Sequence, residues 1–303
     1  IQYQNSFDRT AAATLALVLF GLTLIVLLVE MRARGYARLD SPNRSNRRAA
    51  RLALGRWRWP ALVFCAFIVL LSLIMPAGFL LYWLLRGLEA GEALGSLWAA
   101  AGNSLLASGM AAFAATLAAL PLAILEVRRN NAFSRLLERI SYSAFALPGI
   151  VIALALVFFG ANYAPILYQT LAMLVLAYLI LFLPQLVGTI RNSLLQVHPN
   201  MEEAGRGLGK SAVEVFGRIT LPLVRPGILA GAALVFLTAM KELPATLLLA
   251  PTGFNTLATS VWSNVSEAFF ARAAAPALLL VLLSSLPMAL LDLRQQARDK
   301  IDA

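Results

Sequence analysis

About seven stretches of roughly 20 apolar residues each, separated by polar loops, run the length of this chain, near 11–30, 60–85, 97–125, 140–160, 169–190, 228–250 and 274–293. A helix of that length just crosses the hydrocarbon core of a bilayer. Inside lipid every backbone N–H and C=O needs a partner in the protein, which leaves helices or a closed barrel. No segment alternates with the two-residue period of a barrel strand, so helices are expected. Composition agrees: 60% of residues are apolar and 13% charged, and the mean hydropathy is +0.77. The expected fold class is an all-α, polytopic membrane protein with about seven transmembrane helices. Prolines at 76, 121, 148, 184, 244 and 287 fall within or beside these stretches. Membrane helices tolerate them where neighbours re-satisfy the freed backbone groups.

A net charge of +10 invites a nucleic-acid reading, which the distribution of the charge excludes. Segments 31–59, 126–139, 191–227 and 294–303 hold 9, 4, 5 and 3 Lys and Arg, 21 of the 25 in the chain. The intervening loops have only Arg9, Arg86 and Arg272, and Lys241 lies inside an apolar stretch. Strict alternation of basic and non-basic loops is the positive-inside pattern. It puts the four basic segments, the C-terminus included, in the cytoplasm and the N-terminus outside. Cys65 is the single cysteine, which leaves no disulfide framework and no thiolate metal site. Residues 1–10 lack the basic start and apolar centre of a signal peptide. A beginning of this kind suggests a fragment or a processed product.

The most informative polar segment is 199–222. It reads Glu203-Ala204-Gly205, then Gly209, then Ile219-Thr220-Leu221-Pro222. Two short helices are expected. Asn200 is a candidate N-cap for the first, with Glu202 and Glu203 in its first turn, where carboxylates favour the helix dipole. Gly205, Gly207 and Gly209 end that helix near Leu208. Ser211 and Glu214 have capping-box spacing and open the second, which runs to about Thr220 before Pro222 stops it. Val213, Phe216 and Ile219 then fall on one face as a narrow apolar ridge. So short a pair has too little core to stand alone and needs a surface to dock on. The run Ala204–Ser211 also fits a relaxed phosphate-loop pattern. With no room for the preceding strand and sheet, nucleotide binding by this chain is not expected.

The spacing E-A-(A/G)-x3-G-x9-I-x-L-P resembles the EAA loop in the membrane subunits of binding-protein-dependent ABC importers of type I, which have a MetI-like fold. The one departure is Gly205, where the family usually has a second Ala. The resemblance implies a six-helix permease core over 60–293 and a docking role for Glu203, Ala204, Gly205, Gly209, Val213, Phe216, Ile219, Leu221 and Pro222 in a groove of ATP-binding subunits. It further implies a periplasmic substrate-binding protein, a second permease half or copy, surrounding membrane lipid, and residence in a bacterial inner membrane. ATP and Mg would be bound by the partner ATPase, with no cofactor in this chain and no enzymatic activity of its own. Some such importers fuse two permease halves. By that resemblance residues 1–30 are the periplasmic start and last helix of a preceding half, 31–59 an Arg-rich cytoplasmic linker, and 294–303 a cytoplasmic tail. The alternative is a seven-helix protein complete in itself.

Cargo is addressed by residues 241–262, KELPATLLLAPTGFNTLATSVW, which resemble the corresponding part of ferric-iron importer permeases. Thiamine, polyamine and phosphonate permeases are near relatives of that group. Lys241 and Glu242 sit within an apolar span, where charge is costly and usually faces a pathway or a partner charge. Glu242 is therefore a candidate pathway residue, with Lys241 beside it. The competing reading breaks the helix at Pro244 and leaves the two paired near the outer interface. No cluster of His, Cys or carboxylates offers a high-affinity site for hard Fe3+, which prefers oxygen ligands. That suits a low-affinity route fed by an external protein. His198, the single histidine, is expected to be a polar residue that opens a helix. A secondary transporter would need coupling-ion carboxylates and inverted repeats, and only Glu242 is a candidate.

Overall fold

The computed structural model describes residues 55–92, 95–128 and 147–301, together with Val18, Gly21, Leu136 and Ser141. Apart from Val18 and Gly21, the first expected span and the linker up to residue 54 lie outside the described residues. Helices dominate, and no strand occurs among the described residues. In chain order they are α1 (Gly55–Glu89), α2 (Gly95–Arg128), α3 (Gly149–Tyr163), α4 (Leu171–Leu194), α5 (Pro199–Gly207), α6 (Ala212–Met240), α7 (Pro244–Leu249), α8 (Leu257–Ser266) and α9 (Phe270–Ile301). Five of them, α1, α2, α4, α6 and the Phe270–Pro287 part of α9, are long and apolar enough to cross a membrane.

Three expected boundaries change. Of the span placed at 140–160, residues 140 and 142–146 lie outside the described residues; the described helix is Gly149–Tyr163, and Pro148, with ψ 141°, opens it instead of sitting inside it. The span placed at 228–250 belongs to the longer α6, which ends at Met240; Lys241–Leu243 break the helix before the short α7. Pro222 does not stop the helix that begins at Ala212. A π turn over Phe216–Thr220 widens the backbone just before it, and the chain continues as helix through the proline. The same device occurs in α1, where a π turn over Leu70–Ile74 precedes Pro76. A proline has no N–H to give and crowds the carbonyl four residues back; a wide turn ahead of it relieves both problems.

The core is the packing of α2, α4 and α6. The inner face of α2 is a ladder of small residues, Ala112, Ala115, Ala119 and Ala123, all buried. Against it α4 sets the bulky Leu186, Ile190 and Leu194, and α6 sets Val224 and Val235. Small faces let membrane helices approach closely, which drives association where lipid competes for every apolar contact. The crossing of α6 and α4 is tighter still. A Cβ on Gly227 would collide with Ser193, and one on Gly231 with Thr189 and Leu186. A second cluster joins α2, α3, α4 and α7 through Ala111, Ala153, Met173, Tyr178 and Leu249. By contrast α1 packs chiefly on α9, close enough at Gly87 that an added Cβ would lie 3.2 Å from the Ala271 carbonyl. Its remaining apolar side chains, Phe64, Ile68 and Leu71 among them, are exposed along the span, as for a helix that faces lipid.

The α4–α6 register also places the break after α6. Thr238 lies 3.4 Å from Gln185, nine residues from the Leu194 end of α4. At about 1.5 Å per residue, Lys241 and Glu242 stand roughly 17–20 Å along the bundle from that end.

Candidate functional site

Segment 198–222 is built as two short arms around a glycine turn. Pro199 occupies the first helical position of α5, so the cap falls on His198, whose Nδ1 accepts the Asn200 N–H at 3.3 Å. Asn200, expected as the cap, is inside the helix. The arm closes at Leu208, and Gly209 follows with φ +78°. Ser211 then makes both bonds of a capping box: the Glu214 N–H donates to its Oγ at 3.3 Å, and its own N–H donates to Glu214 Oε2 at 3.1 Å. Glu214 is also paired with Lys210 at 3.4 Å.

Gly205 is buried where the arms cross. A Cβ there would lie 2.9 Å from Ile219 Cδ1 and 3.0 Å from Val215 Cγ2. The glycine therefore has a local reason: the second arm comes within contact of its backbone. The expected ridge of Val213, Phe216 and Ile219 is not one face. Val213 is 81% exposed, whereas Phe216 is half-buried and Ile219 turns inward toward Gly205. The π turn over Phe216–Thr220 adds width to the helix and rotates the later residues out of three-residue register. The most exposed apolar side chains on the arms are instead Leu208, at 83%, and Val213, with Met201 exposed as well. Glu203, Ala204 and Pro222 are exposed beside them and Leu221 is half-buried.

The residue that ties these arms to the bundle is marked in the sequence only as a first-turn carboxylate. Glu202, one position before the motif glutamate, turns inward. Its Oε1 accepts from Arg128 Nη2 at 2.8 Å and from Thr220 Oγ1 at 2.9 Å. Arg128 Nη2 also donates to the Val197 carbonyl at 3.3 Å. Nearby, Arg191 Nε stands 4.0 Å from the buried Glu126 Oε2. The only sequence signal was an acid early in one helix and a base late in another, which names no pair.

The second candidate region is the break after α6. Glu242 Oε1 accepts the Ala245 N–H at 3.2 Å, and its backbone carbonyl accepts from Thr246 Oγ1 at 2.5 Å. Thr246 in turn meets the Tyr178 hydroxyl at 2.5 Å. Gly149, the first residue of α3, abuts the carboxylate: an added Cβ would be 2.8 Å from Glu242 Oε1. Lys241 is exposed and makes no ion pair with Glu242 within 4 Å among those of the described residues. The self-paired reading is therefore set aside. On α2, Asn103 Nδ2 donates to the Asn255 carbonyl at 2.9 Å and Ser104 Oγ accepts the Leu257 N–H at 2.8 Å, pinning the segment that follows α7. No group of three His, Cys, Asp or Glu that could hold a metal ion occurs among the described residues.

The family model described as binding-protein-dependent transport system inner membrane component matches residues 111–300, a stretch that contains the arms, the break and most of the three-helix core. The chain belongs to this family. It is a multi-pass inner-membrane permease component with the MetI-like fold. A relative is the Fe(3+)-transport system permease protein FbpB 2 of Haemophilus influenzae, 37% identical over 96% of this chain. The chain spans 58% of that protein's length. The probable molybdenum ABC transporter permease protein of Haloferax volcanii is 30% identical over 73% of the chain and 84% of its own length. Among solved structures, the inward-facing methionine ABC transporter MetNI matches with a TM-score of 0.53 at 18% identity, over 72% of this chain and 96% of that one. At that identity the likeness is one of fold.

Proposed function

We propose that this permease is the membrane-spanning part of an ATP-driven importer, passing ferric iron from a periplasmic binding protein to the cytoplasm by alternating access, with the 199–222 arms as the contact for its ATPase. The observation that carries the reading is the shape of the arms. Two capped helices are set around Gly209, with Glu203, Ala204, Leu208 and Val213 left exposed on a segment too small to fold by itself. ATP and Mg belong to the ATPase subunits, and a second permease half or copy completes the route. The iron assignment is supported by the likeness of the cargo-side run 241–262 and by the Haemophilus relative's name. Lys241 and Glu242, roughly 17–20 Å along the bundle from the Leu194 end of α4 and beside a broken helix, suit the wall of a pathway for a charged cargo. The basic loops support a cytoplasmic C-terminus and cytoplasmic arms.

Two cysteine substitutions test sidedness and partner together. Ala204→Cys is expected to react with an impermeant maleimide only from the cytoplasmic face and to cross-link to the ATPase subunit. Asn255→Cys is expected to react only from the outer face. Labelling of Ala204→Cys from outside would overturn the orientation and with it the ATPase contact.

A further inference from the structure

Glu202 and Arg128 stand where four elements meet. Arg128 is in the last turn of α2, where a cation favours the helix dipole, and it reaches both the Val197 carbonyl, just past α4, and the Glu202 carboxylate on α5. Thr220, at the end of the π turn in α6 and itself buried, donates to the same carboxylate oxygen. Both charged side chains are largely withdrawn from solvent, 20% and 14% exposed, and the 2.8 Å contact is a charge-assisted hydrogen bond. Without this joint, α5 would reach the bundle through its covalent links to α4, by way of the buried Val197, and to α6, and through the packing of Gly205 on Val215 and Ile219. With it, a push on α5 also meets α2, a 34-residue helix that runs the full depth of the membrane to Gly95.

We propose that the Glu202–Arg128 pair is a strut that carries displacement between the ATPase-facing arm α5 and the transmembrane helix α2. It works in both directions: closure at the ATPase moves α2, and engagement of the binding protein outside is felt at the ATPase through the same joint. Both are positioning residues. The motif glutamate Glu203 faces outward, while its neighbour Glu202 faces the bundle, so the two consecutive acids divide the work between partner and membrane. This strut rests on the coupling role given above to the arms.

The test uses the permease assembled in liposomes with its ATPase and binding protein, and reads the factor by which the binding protein stimulates ATP hydrolysis. In the Ala204→Cys background, Glu202→Gln and Arg128→Gln are expected to cut that factor at least fivefold while the cross-link to the ATPase still forms. The charge swap Arg128→Glu/Glu202→Arg is expected to recover much of it. Where a glutamine variant fails to assemble, Glu202→Asp keeps the charge and shortens its reach by one methylene. Assembly with lost stimulation supports the strut, and assembly with full stimulation overturns it. Full stimulation in the glutamine variants overturns it equally. Absence of the cross-link in the otherwise unaltered background overturns the coupling role itself, and the strut with it.

Discussion

A Gly209→Val permease inserts and assembles, yet imports cargo at least tenfold more slowly while its ATPase partner continues to turn over. The reason is backbone conformation, not crowding. Gly209 has φ +78°, and no heavy atom lies within 4 Å of where its Cβ would be. A β-branched residue in the left-handed region is strained by about 1–3 kcal/mol, enough to move the turn out of its conformation most of the time. The two arms would then present Glu203, Ala204 and Val213 at the wrong relative angle. Gly209→Asn separates this account from a packing account, since asparagine tolerates the left-handed region and is expected to keep most of the activity. Transport and hydrolysis measured side by side decide it. Normal import by Gly209→Val, at normal expression, would remove the turn from the coupling path.

The second large effect is expected at Glu242. Glutamine keeps an oxygen to accept the Ala245 N–H and the shape that fills the space beside Gly149, but removes the charge. Glu242→Gln is therefore expected to give normal amounts of folded protein with import reduced about tenfold or more, the signature of a lost cargo interaction. Glu242→Leu also removes the acceptor for α7 at a cost of about 1–2 kcal/mol, and is expected to lower the yield of folded protein too. Because Lys241 does not pair with Glu242, the double variant Lys241→Met/Glu242→Gln should not recover import. Recovery would mean that the two charges neutralise each other and that Glu242 is structural.

Much of this molecule was legible in its sequence because lipid makes few options available. Apolar runs near 60–85, 97–125 and 169–190 became α1, α2 and α4 with small shifts at their ends. Capping chemistry was legible in the second arm, where Ser211 and Glu214 form the box their spacing implies, but not in the first, where Pro199 at the first helical position moves the cap from Asn200 to His198. Proline was misjudged. Its local effect, a missing donor and a clash, is the same everywhere, but a π turn one step earlier absorbs it in α6 and in α1. That compensation depends on packing and leaves no mark in composition. It also explains the failed ridge, since a three-residue periodicity was projected through a segment with a wider turn. The Glu202–Arg128–Thr220 joint was invisible because its members lie up to 92 positions apart, as the numbering of Arg128 and Thr220 shows. Only the close approach of α2 to α6 brings them together. At Lys241–Pro244 the sequence left a continuous span and a break at Pro244 both open, because a proline can begin a helix as readily as it can interrupt one; the break is what forms, without the ion pair expected with it.

The most direct test of the central claim is uptake of radiolabelled Fe3+, delivered by the binding protein, into liposomes containing the permease and its ATPase. Uptake is predicted to require ATP, to stop with vanadate, and to be indifferent to collapse of the proton and sodium gradients. Uptake driven by an ion gradient without ATP hydrolysis would contradict the account.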